Sequence, residues 1–184
     1  GARNIQLAAD ILGTGGLGYS VAANKAVNTT SKYATSSTNV AKNTETYFRV
    51  EGGSSKTKTS QNRVTANSDG TVSINSGCAG QLCVSTKGAD HTTYFLTEKR
   101  PGGNVVVFEL DKNLHDFIMK EAVAQNPRYR PVGSDPNSPK IVDPTKSGNS
   151  TALELPKIWD SLIQENSSKA RVLTQEQYLK EFKK

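Results

Sequence analysis

Histidine, cysteine, methionine and tryptophan are nearly missing from this chain: its 184 residues hold two His, two Cys, one Met and one Trp. Cys78 and Cys83 stand astride Gly80 with no second Cys-x-x-Cys, and the histidines are scattered, so a four-ligand zinc site is not expected. The two cysteines are instead either a bridge across a tight loop, in an oxidising compartment, or free thiols. No apolar run approaches the roughly 20 residues of a membrane span, and no basic segment precedes an apolar one as in a signal peptide. Gly-x-Gly-x-x-Gly, Walker, Gly-x-Ser-x-Gly and His-Glu-x-x-His patterns are absent, which excludes dinucleotide-fold redox enzymes, P-loop NTPases, hydrolase elbows and zincins. Carboxylates that could gather a catalytic metal do not cluster either, and no cofactor is called for. The start at Gly1 suggests a processed product or an excised fragment, with any delivery signal encoded upstream.

What is present is polar and basic. Only 34% of residues are apolar and the net charge is +6, with a mean hydropathy of −0.56 and a pI near 9.3. That balance allows one core of ordinary size and favours an anionic partner, such as nucleic acid or an acidic protein. Residues 1–40 differ from the rest. Ile5, Leu7, Ala8, Ile11 and Leu12 form a weak helical stripe that stops at a glycine cluster. A second alanine-rich helix is expected over Tyr19 to Val27, then a Thr/Ser/Asn-rich linker. This segment reads as an N-terminal helical appendage, an entry or linker element, and transient membrane passage is the role such small-residue helices suggest.

From residue 41 onward a second pattern begins. Thr46 to Val50 alternates as a strand ending in Arg49, Glu51 and Gly52-Gly53. Arg63–Thr65 and Thr71–Ile74 flank an Asp69-Gly70 hairpin signal. Leu82–Val84 and Asn104–Leu110 are further strands. Between them, His91 to Lys99 is expected as a short helix with Asp90 as N-cap. Asn113 to Val123 reads as an amphipathic helix capped by Asp111 or Asn113. Residues 125–150 show no element, a length that points to a functional loop. Pro156 opens a short helix holding Trp159, Ala170–Leu173 closes the sheet, and Thr174 with Gln177 forms a capping box for a terminal helix. The order indicates an α+β fold, a mostly antiparallel twisted sheet with helices on one face.

The chemistry converges on the stretch from Gln81 to Leu110. His91 follows a polar glycine turn, and histidine suits either proton role in phosphodiester transesterification. Lys87, Lys99 and Arg100 are near in sequence as phosphate-binding cations, with Ser85, Thr86, Thr92 and Thr93 as hydrogen-bond donors. Arg49, ending a strand beside flexible glycines, is a second candidate to grip a phosphodiester or the pyrophosphate of NAD. His115 lies in an apolar, acidic helix, where a structural histidine is commoner than a catalyst; a paired mechanism with His91 stays open.

The phrases YFRVEGG, SQNRVTANSDGTVSI, LCVSTKGADHTTYFL, RPGGNVVVFEL and PKIVDPTKSG resemble the C-terminal toxin domains of bacterial polymorphic toxins of the contact-dependent inhibition and Rhs types. The resemblance spans Tyr47 to about Leu173. It implies a toxic catalytic domain over 41–184, delivered from a larger secreted or cell-surface protein, acting in a target-cell cytoplasm, and neutralised by a cognate acidic immunity protein. Within that group the barnase, EndoU, colicin E5 and RelE-like RNases imply a metal-independent RNase acting on tRNA or other structured RNA. His91, Arg49, Thr93 and Tyr94 would then be catalytic, and Lys87, Thr86, Lys99 and Arg100 would bind substrate. ADP-ribosyltransferases offer an alternative: an arginine on a first strand (Arg49), a Ser-Thr pair on a second (Ser85-Thr86), Tyr94 as ring partner, and Glu109 or Gln125 as the later acid or amide. A non-enzymatic basic binding module is the third reading.

Overall fold

The computed structural model describes residues 43–54, 62–75, 81–142 and 148–183. The helices expected over 1–40, the Lys56/Lys58 run and Cys78 lie outside the described residues, and Cys83 carries a free thiol. In chain order the elements are β1 (Thr44–Glu51), β2 (Val64–Ala66), β3 (Val72–Ile74), β4 (Leu82–Thr86) and α1 (Asp90–Tyr94), which runs on into a π-helical turn (Phe95–Lys99). There follow β5 (Asn104–Asp111), α2 (Lys112–Glu121), β6 (Val123–Ala124), a 3-10 turn (Pro127–Tyr129), β7 (Lys140–Ile141) and β8 (Thr151–Leu155). A second 3-10 turn (Lys157–Trp159), α3 (Asp160–Glu165), β9 (Ser167–Thr174) and α4 (Gln175–Phe182) complete the elements of the described residues. Seven strands form one sheet in the order β6-β7-β8-β4-β1-β5-β9, antiparallel except for the β6–β7 pair, while β2 and β3 make a separate hairpin. The fold is α+β.

Strand β1 is central because both of its faces are apolar. Successive side chains point to opposite faces, so Phe48 and Val50 share one face with Val107 and Val105, their partners on β5. These pack with Leu96, Leu173 and Tyr178 under α1, the π turn and α4, where the Tyr178 and Phe182 rings meet Phe48 edge-on. On the other face Tyr47 meets Phe108 and the His115 ring of α2, and Phe117 packs on Trp159. Helices therefore cover both faces, not the single face expected, because β1 and β5 are apolar on both sides. Among the described residues, no helix is long and apolar enough to cross a membrane.

Local chemistry sets several ends. Asp111 caps α2, its Oδ1 accepting from the Asn113 and Leu114 amides. Thr174 and Gln177 form the expected capping box of α4. The Asn67–Gly70 turn joins β2 to β3 as read from the sequence, with Asp69 Oδ1 accepting from the Thr71 amide at 2.9 Å. By contrast α1 is not capped by Asp90. Its N-cap is Ala89, and the Asp90 carboxylate accepts the Asn149 amide at 2.9 Å. The 125–150 stretch is also not bare, since it holds the 3-10 turn and β7.

His115 is structural. Its Nδ1 lies 3.0 Å from the Tyr47 hydroxyl, and the residue is buried. Burial raises the Tyr47 pKa, so the phenol keeps its proton and pairs with Nδ1 as a neutral partner. Burial also pulls the His115 pKa below its ordinary 6.5, and desolvation does the same to His91. The unfolded chain thus takes up these protons first as pH falls, so this contribution to stability is intact above about 6.5 and erodes below it. Melting temperature should fall between pH 7.5 and pH 5.5, and His115→Gln, which keeps an acceptor but cannot titrate, should show a smaller fall. An equal slope in the two proteins would refute the assignment.

Candidate active site where two strands part

The two halves of the large sheet are joined weakly. β1 pairs with β5 over eight residues, and β4 with β8 over five. β1 and β4 share only Tyr47↔Thr86 and Phe48↔Ser85. Beyond those pairs the strands separate and the backbone groups facing the opening need other partners. Arg49 supplies one, its Nη1 donating to the Cys83 carbonyl at 3.0 Å while its Nε donates to Glu51 Oε1 at 3.1 Å.

The parting opens into a small pocket lined by Arg49, Cys83, Ser85 and His91 among others. Its floor is one cross-strand row. Phe48 stands opposite Ser85, Ser85 opposite Ala152, and the Val142 amide donates to the Ala152 carbonyl. Residues in register share a face, so Val142, Ala152, Ser85 and Phe48 lie side by side, apolar except for one hydroxyl. The neighbouring row on that face holds Lys140, Glu154 and Cys83, paired as Lys140↔Glu154 and Cys83↔Glu154. Glu154 Oε1 accepts from Gln125 Nε2 at 2.5 Å.

Helix α1 brings His91 over this floor. The His91 Nδ1 is 2.7 Å from Ser85 Oγ, and its ring stacks on Phe95 with centroids 6.0 Å apart. Ser85 is almost wholly buried. The start of α1 is tied to the turn entering β8, because the His91 amide donates to Ser150 Oγ at 2.9 Å, one residue beyond the Asn149–Asp90 bond. Gly148 is required in that turn. Its φ is +58°, and a Cβ there would fall 2.6 Å from Asp90 Oδ2. Desolvation holds His91 below its ordinary pKa, so near neutral pH it is an uncharged imidazole. Among the described residues none hydrogen-bonds its Nε2, leaving that nitrogen for a ligand in the pocket.

Of the residues singled out from the sequence, Arg49, Ser85, His91 and Thr92 line this pocket, whereas Thr86, Lys87, Thr93, Tyr94, Lys99 and Arg100 do not. Thr93 Oγ1 sits 3.5 Å from the Tyr178 hydroxyl and helps anchor α4. Tyr94 is exposed, with Lys99 Nζ 5.5 Å from its ring centroid. Thr86 donates to the Thr46 carbonyl at 2.9 Å. Lys87 adopts a left-handed φ of 57° and gives its amide to Glu45 Oε1 at 3.2 Å. Arg100 is buried and donates to the Gly52 carbonyl at 3.0 Å. His115 is on the far side of the sheet with Tyr47, so the two histidines do not form one site. Glu109 is bonded to Thr44 on β1. Glu154 escaped notice because nothing in ALELP marks its position; what places it is its register with Cys83.

Charge is distributed unexpectedly. Eight of the 23 basic residues and two of the 17 acidic ones fall outside the described segments, leaving 15 of each within them. The excess of +6 therefore belongs to sequence outside the described fold, and the pocket is a mainly apolar chamber with one guanidinium, one imidazole and a carboxylate in the adjoining row. Among the described residues, no three His, Cys, Asp or Glu side chains gather as a metal site. Comparison with known proteins finds no match among family models, curated proteins or solved structures, so the reading of this site stands on its own geometry.

Proposed function

We propose that the chain is an ADP-ribosyltransferase toxin that consumes NAD in the cytoplasm of a target cell. The observation that carries this reading is the parting of β1 from β4, which puts Arg49 and Ser85 in one pocket lining. Of the arginine, Ser-Thr pair and later acid or amide that the ADP-ribosyltransferase reading called for, Arg49 and Ser85 are the two that reach this lining. Transfer breaks the bond between the nicotinamide nitrogen and ribose C1′. The bonding pair leaves with nicotinamide, the acceptor nucleophile bonds to C1′, and the acceptor's proton is released. The nicotinamide ring is cationic before cleavage and neutral after it. An apolar chamber walled by Phe48, Phe95 and uncharged His91 therefore favours the product ring over the reactant ring. As the bond breaks, positive charge moves to the ribose, where the Glu154 carboxylate, oriented by Gln125, is the group suited to stabilise it. Arg49, fixed by Glu51 and the Cys83 carbonyl, supplies a preorganised cation for the dinucleotide's phosphates.

The RNase reading keeps one specific support: His91, uncharged near neutral pH, can take a proton from a 2′-hydroxyl. Its weaker side is the phosphorane charge. Lys87, Lys99 and Arg100 lie outside the pocket lining, which leaves Arg49 as the cation there. One experiment separates the two. The purified chain is incubated with NAD labelled in its adenylate moiety and a bacterial extract, and in parallel with total RNA in EDTA. Nicotinamide release with label on macromolecules, and RNA left whole, is the expected outcome. Intact NAD with RNA fragments ending in 2′,3′-cyclic phosphates would replace this reading with the RNase one. Toxicity undiminished by His91→Ala and Glu154→Gln together would point to a non-enzymatic binding module.

A further inference from the structure

We infer that the segment joining β6 to β7 is the docking element for a macromolecular acceptor, a protein that presents a carboxylate beside an apolar group. This rests on the transferase reading above, since the narrow pocket between β1 and β4 has room for the reacting end of a small substrate and leaves the acceptor to be recognised elsewhere. The segment starts beside the row that adjoins the pocket and ends in the pocket lining. Gln125, at its start, holds Glu154 and gives its amide to the Ile141 carbonyl, and Val142, at its end, lines the chamber.

Between these ends the chain is rigidly built yet displays apolar groups to solvent. Asn126 caps the 3-10 turn, its Oδ1 accepting the Arg128 amide at 3.0 Å. Arg130 is turned inward, donating to the Ala124 carbonyl at 2.9 Å and to the Gln125 carbonyl. Asp135 Oδ1 accepts the Asn137 amide at 2.8 Å, and the Trp159 indole N–H donates to the Asn137 carbonyl at 2.9 Å. Lys140 Nζ donates to the Pro136 carbonyl at 3.2 Å. On this scaffold Tyr129 is 70% exposed and Val132 fully so, while the Arg128 guanidinium lies 6.0 Å from the Tyr129 ring centroid.

Exposed apolar groups on so many internal hydrogen bonds are not a product of slack packing. A preorganised loop loses little conformational entropy on binding, and an aromatic with an arginine is the usual composition of a binding hot spot. Arg128 selects a carboxylate. A protein partner fits better than RNA for two reasons. The guanidinium competes with a stacked base for one face of the tyrosine ring, and Val132 offers a nucleic acid nothing.

The test uses the full chain with Tyr129→Ala/Val132→Ser combined, and with Arg128→Glu separately. Nicotinamide release in buffer, where water is the acceptor, reads the pocket alone. Transfer of label from NAD to protein in a bacterial extract reads docking as well. Both variants should keep hydrolysis within about twofold of the parent while protein labelling falls about tenfold or more, and the Arg128→Glu defect should shrink at high salt. Labelling that tracks hydrolysis in both variants would overturn the inference, as would label that is removed by RNase treatment. A parent chain that releases no nicotinamide at all would instead show that the transferase reading beneath it has failed.

Discussion

Glu154→Gln should lower ADP-ribosyl transfer by roughly two to three orders of magnitude and leave NAD affinity almost unchanged, the pattern of lost transition-state stabilisation. Glutamine keeps the shape of the side chain, and its carbonyl can still accept the Gln125 amide, which reaches Glu154 Oε1 at 2.5 Å. What disappears is the negative charge, which matters only once the ribose turns cationic. Glu154→Asp keeps the charge and moves it back by one methylene, so an intermediate loss is expected. Gln125→Ala should fall between the parent and Glu154→Asp, because it removes an orienting contact and no charge. The readout is kcat and KM for nicotinamide release. If Glu154→Gln stayed within twofold of the parent while His91→Ala was inactive on RNA, the chemistry would belong to the imidazole and the RNase reading would stand in its place.

How much of this could be read from the chain depended on whether neighbours in space were also neighbours in sequence. β1, β5 and the β2–β3 hairpin were legible from alternation and from Asp69-Gly70, and the α4 capping box from Thr174 and Gln177 three residues apart. The two-residue strands β6 and β7 were not. They exist because distant groups hold them, such as the Pro139 carbonyl that accepts the Val123 amide, and no local propensity marks them. β9 is longer than the apolar run Ala170–Leu173 suggested, since its polar start, Ser167 and Ser168, pairs with β5 at Leu110 and Glu109 across a register shift. The Asp90 cap failed for a similar reason. Its carboxylate is committed to Asn149, a partner 59 residues away.

The site follows the same rule. Arg49 and His91 stood out as charged or titratable groups interrupting or flanking apolar strands, and the pocket lining contains both. The cations grouped with them by sequence proximity scattered, because the turn after β4 and the π turn send Lys87 and Lys99 toward solvent while Arg100 is drawn inward to the Gly52 carbonyl. Glu154 enters through the β4–β8 register, and Gln125 through a contact 29 residues long. Neither relation has a local signature.

Glu51→Ala should be the most destabilising single change near the site, costing roughly 3–5 kcal/mol, because one buried oxygen serves three donors. Glu51 Oε1 accepts from Arg49 Nε at 3.1 Å and from the Arg63 and Val64 amides, each at 3.0 Å. Alanine would leave two buried backbone N–H groups unpaired and a guanidinium without its carboxylate. It would also detach β2 from the end of β1. Glu51→Gln separates charge from hydrogen bonding: its carbonyl oxygen can still take the backbone amides, so about 1–2 kcal/mol is expected. For a domain of this size the alanine variant should melt roughly 10 °C below the parent. Arg49 then loses the group that fixes its direction, so the KM for NAD should rise in Glu51→Gln even where the fold is intact. Equal melting temperatures for the alanine and glutamine variants would mean that the bridging oxygen contributes nothing beyond its charge. An unchanged KM in the glutamine variant would remove Glu51 from the positioning of Arg49.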